Sequence, residues 1–186
     1  TGWVARYAGT GARNFNGDGL PRLSTVLDLP VATVFHPITG ELYIADQANM
    51  LVRKVDGSGN VVIVAGTAPV SNGTGGWNYQ AGFSGDNGPA TGATINLERT
   101  QTADPSGKIC FDAAGNLYIA DTLNNAVRMV SYPGGIITTV AGNPVLGAGF
   151  SGDGGPGGEA QLNQPRDVAT DVDGNLFIAD SGNHVI

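Results

Sequence analysis

One pattern recurs three times along this chain and limits the possible fold more than any other feature. Residues 40–66 begin GELYIAD, residues 115–141 begin GNLYIAD and residues 174–186 begin GNLFIAD. The two longer copies read as strand, turn, strand, turn, strand, because short apolar runs alternate with Asn- and Gly-rich breaks. The sequence therefore predicts a β-meander that is repeated along the chain.

The predicted strands are apolar on both faces, as in the run Leu117, Tyr118, Ile119 and Ala120. A sheet with one face in water would alternate polar and apolar residues instead. Short antiparallel sheets with two apolar faces bury themselves by stacking on one another, as the blades of a β-propeller do. We therefore expect an all-β fold of about three four-stranded antiparallel blades.

The same pattern divides residues 1–186 into the units of one repeat domain. Residues 3–9 match the last strand of the repeat and are predicted to form an outer strand. Pro30, Pro105 and Pro165 each precede a predicted inner strand. We expect blades at about 30–66 and 105–142 and a partial blade at about 165–186, with insertions at 67–81 and within 92–104.

A Gly-rich loop precedes each predicted blade. Such a loop could cradle a phosphate, but phosphate loops lie between a strand and a helix and usually include a lysine. A compact crossover between blades explains the motif better, with Gly at positive φ, the Phe packed inward and the Asp capping loop amides. The three copies are NFNGDGLP, GFSGDNGP and GFSGDGGP, with aromatic residues Phe15, Phe83 and Phe150 and acidic residues Asp18, Asp86 and Asp153.

These motifs recur in a constant order together with QLNQP and DVDGNLFIADSGNHVI. In this combination the chain resembles NHL-repeat β-propellers, of the variety found in secreted bacterial proteins and in the extracellular propeller of teneurins. The resemblance covers nearly the whole chain. It implies a larger ring, typically of six blades, in which further blades of the same chain or other copies cover the apolar faces.

Three aspartates stand at the end of LYIAD or LFIAD, and each is followed three residues later by an asparagine. Carboxylates repeated around a ring could hold a metal ion, but Asp and Asn also satisfy the backbone of turns. We favour the structural role. The pairs are Asp46 with Asn49, Asp121 with Asn124 and Asp180 with Asn183. The run DVDG at 171–174 begins like a calcium loop but lacks the later ligands, so a hairpin turn is the better interpretation.

Arg53 and Arg128 follow the first two of these aspartates at the same spacing. With a hairpin turn centred on Ala48 or Leu123, they would lie opposite Tyr43 and Tyr118 across the strand pair. The sequence thus predicts two cation–aromatic pairs that stabilise the blades.

Charge and composition exclude several classes of function. The net charge is −7 and the chain has only two lysines, Lys54 and Lys108, so nucleic acid is not an expected partner. Cys110 lies alone in an apolar run and is expected to act as a small buried hydrophobe. His36 and His184 fall at different points of the repeat. We therefore predict no catalytic set, metal or cofactor, and no apolar run approaches the ~18 residues of a membrane span.

The insertion at 67–81, TAPVSNGTGGWNYQA, departs most from the repeat. Its Trp77 and Tyr79 could anchor a partner or stack on a sugar ring. Alternatively, both rings fold back onto the adjacent blade. Asn72 begins an Asn-Gly-Thr sequence, which is an acceptor pattern for N-glycosylation in secreted proteins.

These features favour a non-enzymatic binding or assembly module, extracellular or at the cell surface, that recognises a protein or a glycan through loops of the propeller face. One alternative is a structural subunit of a fibre or surface layer, which fits the low charge. Another is a propeller enzyme, similar to amidating lyases or sugar lactonases, with its metal site in other blades.

Overall fold

The computed structural model describes residues 2–98 and 106–186, and its architecture is all-β. This confirms the fold class that the repeated apolar strands predict. Pro105 and residues 99–104 of the second insertion lie outside the described residues. The strands are β1 (Leu20–Pro21), β2 (Pro30–Phe35), β3 (Leu42–Asp46), β4 (Leu51–Val55), β5 (Asn60–Ala65), β6 (Val70–Ser71), β7 (Trp77–Asn78), β8 (Gly88–Pro89), β9 (Ile109–Phe111), β10 (Leu117–Asp121), β11 (Ala126–Val130), β12 (Ile136–Ala141), β13 (Pro165–Thr170) and β14 (Leu176–Asp180).

The first and second sheets have the same antiparallel order, β1-β5-β4-β3-β2 and β8-β12-β11-β10-β9. Strands β13 and β14 form the third sheet, and β6 and β7 form a separate short hairpin. Each complete sheet thus has the four predicted strands plus a two-residue edge strand. This extra strand, β1 or β8, comes from the Gly-rich crossover loop and pairs with the outer strand of the blade that follows it.

Short 3-10 turns connect the second and third strands of each blade. Each ends at a residue with left-handed backbone, Met50, Asn125 or His184. This compact reversal brings β4 directly alongside β3, so that Asp46 pairs with Leu51 in register. The 3-10 turns are Gln47–Asn49, Ala90–Gly92, Thr122–Asn124, Gly157–Glu159 and Ser181–Asn183.

The outer strand of each complete blade is followed by a glycine that the packing requires. Gly66 and Gly142 have φ of 93° and 84°, where a side chain is strained. A Cβ at Gly66 would overlap the carbonyl oxygen of Met50, and one at Gly142 would overlap that of Asn125. The repeated Val-Ala-Gly ending therefore reflects close backbone contact with the residue that ends the 3-10 turn.

The main core lies between the first and second sheets. Tyr43, Ala45 and Val52 of the first sheet pack against residues such as Ile119 and Ile137 of the second. A second cluster joins the other face of the second sheet, including Ala120 and Val127, to Val168 of the third. Both faces of the second sheet are therefore buried, as expected for stacked blades.

The expected outer strand at 3–9 is not present. Trp3 and Val4 are almost fully exposed, and no residue from 2 to 9 belongs to a strand. In complete blades this strand pairs with the third strand of its own sheet, but β4 and β11 already pair with β5 and β12. The edge of β5 is in turn occupied by β1. Strands β5 and β12 therefore already supply the outer strand of each complete sheet, the position that was predicted for residues 3–9.

No helix among the described residues is long and apolar enough to cross a membrane.

Candidate functional site

The three recurring aspartates are buried and bind the segment that leads into their own blade. One oxygen of each carboxylate, Oδ1, accepts a backbone N–H from that segment. The donors to Asp46, Asp121 and Asp180 are Asp28, Asn96 and Asn163, each at 2.7 Å. The carboxylates thus satisfy backbone amides, but these amides precede the inner strand, whereas the sequence pointed to amides of the adjacent turn.

The second oxygen of each carboxylate binds the asparagine three residues later. Asn124 Nδ2, for example, donates to Asp121 Oδ2 at 2.8 Å and to the carbonyl of Gly82 at 2.7 Å. Asn49 and Asn183 make the corresponding pairs of bonds. Each Asp–Asn pair therefore fastens the crossover loop to the blade that the loop introduces.

The predicted pairing of Arg53 with Tyr43 and of Arg128 with Tyr118 is wrong by one residue. Arg53 lies opposite Ile44 and Arg128 opposite Ile119. The cause is the 3-10 turn, which sets the register at Asp46 with Leu51 and at Asp121 with Ala126. A one-residue shift moves a side chain to the other face of a sheet. Lys54 is the residue that lies opposite Tyr43, with Nζ 5.9 Å from its ring centre.

Both arginines instead lie fully buried under the crossover loops. The guanidinium of Arg53 lies 5.3 Å from the ring centre of Phe15, and that of Arg128 lies 4.5 Å from Phe83. Arg128 also binds Asp86 at 2.7 Å and Asp121 at 3.4 Å. The cation–aromatic contacts therefore exist, but they join the blade to its loop.

The loop acidic residues contact the blade rather than cap their own loop as expected. Asp18 Oδ1 accepts the backbone N–H of Ile63 at 2.8 Å and lies 3.7 Å from Arg53. Asp86 Oδ2 accepts the hydroxyl of Thr139 at 2.7 Å. Both donors, Ile63 and Thr139, are on the outer strand of the following blade. The loops are therefore held by long-range contacts.

The loop phenylalanines are not equally packed. Phe15 is 4% exposed, Phe83 39% and Phe150 61%, so the expected inward packing holds for the first copy alone. The difference comes from an additional neighbour, because the ring of Trp77 meets Phe15 edge to face at 5.0 Å. The first crossover loop is thus covered by the insertion at 67–81.

Burial has the largest effect on the pKa values of the aspartates in the two complete blades. It raises the pKa of Asp46 and of Asp121 to about 6, although hydrogen bonds and the nearby arginine charge act in the opposite direction. Burial also lowers the pKa of Arg53. Carboxylates whose oxygens are occupied by Asn and backbone donors are suited to holding the loops in place.

The insertion folds into the short hairpin of β6 and β7. Asn72 Oδ1 accepts the N–H groups of Thr74 and Gly76 at 3.0 and 2.9 Å, which closes the hairpin turn. Tyr79 donates its hydroxyl to Asn14 Oδ1 at 2.7 Å. Both aromatic residues of the insertion therefore contact the first crossover loop, while Asn72 remains exposed at the hairpin tip.

Beside this hairpin lies a cavity of about 490 Å³, which we call the hairpin cleft. It combines aromatic, apolar and amide groups from the insertion and from both complete blades. None of the described residues that line it carries a charge. They are Met50, Trp77, Asn78, Tyr79, Ala81, Asn96 and Leu123.

Sequence reasoning identified Trp77 and Tyr79 but missed the rest of this lining. Met50 ends a 3-10 turn in the first blade, Leu123 lies in the equivalent turn of the second, and Asn96 belongs to the second crossover segment. The two turns occupy equivalent positions in the repeat, so they lie at the same end of their blades. The folding of the insertion onto that end, however, has no signal in the sequence.

His36 forms a buried contact between the first two blades that the sequence did not indicate. It is 2% exposed, and its ring centre lies 4.6 Å from that of Tyr132 and 4.8 Å from that of Phe111. Its Nδ1 accepts the N–H groups of Ile38 and Thr39, both at 3.2 Å. Burial lowers the pKa of His36, which favours the neutral ring.

The remaining titratable residues do not assemble into a recognisable reactive site. Among residues 2–98 and 106–186, no group of three or more His, Cys, Asp or Glu residues could hold a metal ion. Burial raises the pKa of Cys110 to about 12, so its thiol is protonated and unreactive near neutral pH. Asp171 closes its hairpin by accepting the N–H groups of Asp173 and Asn175 at 3.0 and 2.8 Å.

Comparison with known proteins identifies a match to one family model and two similar proteins. The model of the NHL repeat matches residues 162–186. The Arabidopsis thaliana protein SUPPRESSOR OF QUENCHING 1, chloroplastic, is 30% identical over 97% of this chain, and mouse Teneurin-4 is 30% identical over 94%. The chain spans only 16% and 6% of the lengths of these two relatives.

Solved structures show the same fold. A Bacteroides thetaiotaomicron protein of unknown function matches 82% of the chain with a TM-score of 0.59 and 23% identity, and the chain covers 33% of it. An auxiliary nutrient binding protein from Bacteroides ovatus matches 82% with a TM-score of 0.57 and 23% identity, and the chain covers 35% of it. Residues 162–186 therefore match the NHL repeat, and the chain is folded as stacked blades of a β-propeller.

Proposed function

We propose that this chain is a non-enzymatic binding module that recognises a protein or a glycan through the hairpin cleft. The observation that carries the proposal is the cleft itself. An insertion outside the repeat brings Trp77 and Tyr79 over the ends of two blades and leaves a concave site. Irregular loops held by a rigid repeat scaffold are common positions for binding sites.

The extent of preorganisation supports this role. Trp77 is held against Phe15, Tyr79 against Asn14, and the hairpin turn is closed by Asn72. A site whose side chains are already fixed loses less conformational entropy when a ligand binds. The two alternatives for the aromatic residues are therefore compatible, because rings that fold back onto the blade can still line a cleft.

One protein of similar fold supports binding, and the similarity to Teneurin-4 supports a location outside the cell, whereas SUPPRESSOR OF QUENCHING 1 is named as a chloroplast protein. The Bacteroides ovatus protein of similar fold is described as an auxiliary nutrient binding protein. The fold thus serves binding in that protein. Together with the resemblance to teneurins, this supports an extracellular or cell-surface location for the present chain, where Asn72 would be open to glycosylation.

Substitution of Trp77 tests the proposal. Trp77→Ala is expected to weaken binding to an extracellular protein or glycan by ~2 kcal/mol or more, as at a central aromatic contact. Trp3→Ala is the matched control, since Trp3 is 97% exposed and belongs to no strand. Biolayer interferometry against panels of glycans and extracellular protein domains measures both variants. Equal binding by a folded Trp77→Ala variant would show that the cleft is not the site.

A structural role is the second candidate, and the third sheet carries the observation that favours it. Phe177 is 49% exposed, although the equivalent residue of the first sheet, Tyr43, is 6% exposed in the core between sheets. A further blade or another copy of the chain would cover this face. Phe177→Glu is then expected to reduce self-association in sedimentation experiments. A sedimentation coefficient independent of concentration in the unsubstituted chain would argue against assembly.

A further inference from the structure

We infer that the hairpin cleft takes a neutral oligosaccharide, an inference that rests on the binding function proposed above. The first reason is the absence of charge among its described lining residues. A phosphate, carboxylate or ammonium group entering the cleft would lose hydration without gaining an ionic partner there. The lining therefore disfavours nucleotides, charged peptides and acidic polysaccharides.

The second reason is the kind of polar group that the cleft offers. Asn78 and Asn96 each carry a side-chain amide, which both donates and accepts hydrogen bonds. Adjacent hydroxyl groups of a sugar ring also donate and accept, so one amide can bind two of them at once. The backbone of Asn96 is fixed by its bond to Asp121 at 2.7 Å.

The third reason is the apolar surface beside these amides. Trp77, Met50 and Leu123 line the same cavity, and Leu123 is 39% exposed. A pyranose ring presents C–H groups on its faces and hydroxyls at its rim. Its faces can therefore pack on the apolar side chains of the cleft while its hydroxyls bind the amides. The cavity of about 490 Å³ lies within the range of small-ligand sites, about 300–1,000 Å³.

Intrinsic fluorescence gives a direct measure of occupancy. The chain has two tryptophans, so Trp3→Phe leaves Trp77 as the only one. Titration of this variant with neutral oligosaccharides, such as gluco-, manno- and xylo-oligosaccharides, is expected to change its emission saturably for at least one of them. Acidic oligosaccharides and an uncharged peptide library are titrated in parallel. Because the ligand is neutral, the affinity should change less than about 2-fold between about 0.05 and 0.5 M salt.

Asn78→Ala in the same background tests the assignment to the cleft without disturbing the Phe15 contact, since Asn78 is exposed. We expect at least a 10-fold loss of affinity for the oligosaccharide. Asn60→Ala, at the start of β5 and outside the residues that line the cleft, is the matched control and should bind normally. Unfolding curves for each variant separate loss of binding from loss of structure.

The outcomes distinguish the ligand class from the binding function. Binding of a peptide or an acidic sugar that Asn78→Ala weakens would overturn the neutral-oligosaccharide inference and leave the binding function standing. Neutral-sugar binding that Asn78→Ala leaves intact would exclude the cleft. If no compound of any class changes the fluorescence at millimolar concentration, both the inference and the proposed function of the cleft fail.

Discussion

The hydroxyl of Tyr79 donates a hydrogen bond of 2.7 Å to Oδ1 of Asn14, which lies 65 positions earlier in the chain. This bond fixes the insertion to the crossover loop of the first blade. It therefore positions one wall of the hairpin cleft against a part of the chain that is otherwise distant in sequence.

Loss of that bond is expected to loosen the hairpin without unfolding the blades. Tyr79→Phe keeps the ring and removes the hydroxyl, and a single hydrogen bond contributes about 0.5–1.5 kcal/mol. Amide hydrogen exchange in residues 70–79 should therefore accelerate by up to about 10-fold, with β3 and β10 unchanged. Tyr7→Phe, at a half-exposed residue outside the sheets, provides the control. Equal exchange in Tyr79→Phe and the parent chain would mean that other contacts hold the hairpin.

Arg128 is expected to be far more important for stability than Lys54, whose ion pair is less buried. Arg128→Met leaves the fully buried Asp121 without its ionic partner, which typically costs about 3–5 kcal/mol. Lys54→Met removes a half-buried pair with Glu41 and should cost about 1 kcal/mol or less. Urea denaturation measures both. A cost for Arg128→Met no larger than that for Lys54→Met would show that this network contributes little.

The raised pKa of Asp121 predicts a pH dependence of stability. Its folded-state pKa of about 6 lies above the ordinary value of 3.8, so the folded chain binds the proton more tightly. The contribution is therefore greatest below about pH 4 and is lost as the pH rises through about 6. Asp121→Asn cannot titrate. The difference in free energy of unfolding between parent and variant should shrink by ~2 kcal/mol from pH 4 to pH 7, and a constant difference would refute the shift.

His36 predicts an effect of opposite sign at the contact between the first two blades. Because burial lowers its pKa, the neutral ring stabilises the fold above about pH 6.5, and this stabilisation is lost as the pH falls. Protonation of Nδ1 would also break its two bonds to the N–H groups of Ile38 and Thr39. Around the ring, Glu41 raises the pKa and Lys54 lowers it, while Tyr43, Phe111 and Tyr132 enclose it.

Local hydrogen exchange separates the pH dependence that His36 causes from the pH dependence that the buried aspartates cause. Below pH 6, after correction for the intrinsic rate, residues 36–43 and 111–118 should exchange faster in the parent chain. His36→Phe keeps an aromatic ring that cannot be protonated, so its exchange in these segments should show no such pH dependence. The same acceleration in His36→Phe would assign the effect to another group.

Much of the blade architecture follows from the sequence because its determinants are local. LYIAD and LFIAD place β3, β10 and β14, and the Asn- and Gly-rich breaks place the turns, since strand pattern and turn chemistry act over a few residues. The same holds for the Val-Ala-Gly endings. Their glycines are required by close contact with the end of the preceding turn.

Three features could not be predicted from the sequence: the register of the strand pairs, the absence of a strand at 3–9, and the hairpin cleft. The 3-10 turn shifts the β3–β4 register by one residue from the predicted register. Arg53 therefore contacts Phe15 and does not lie opposite Tyr43. Residues 3–9 carry a strand pattern but form no strand, since β5 and β12 already supply the outer strands of the complete sheets and a strand requires a partner as well as a suitable sequence. The hairpin cleft exists only because Trp77 and Tyr79 meet residues from two blades. The sequence alone determined the repeated blades, whereas long-range packing decided the register, the pairing of edges and the candidate binding site.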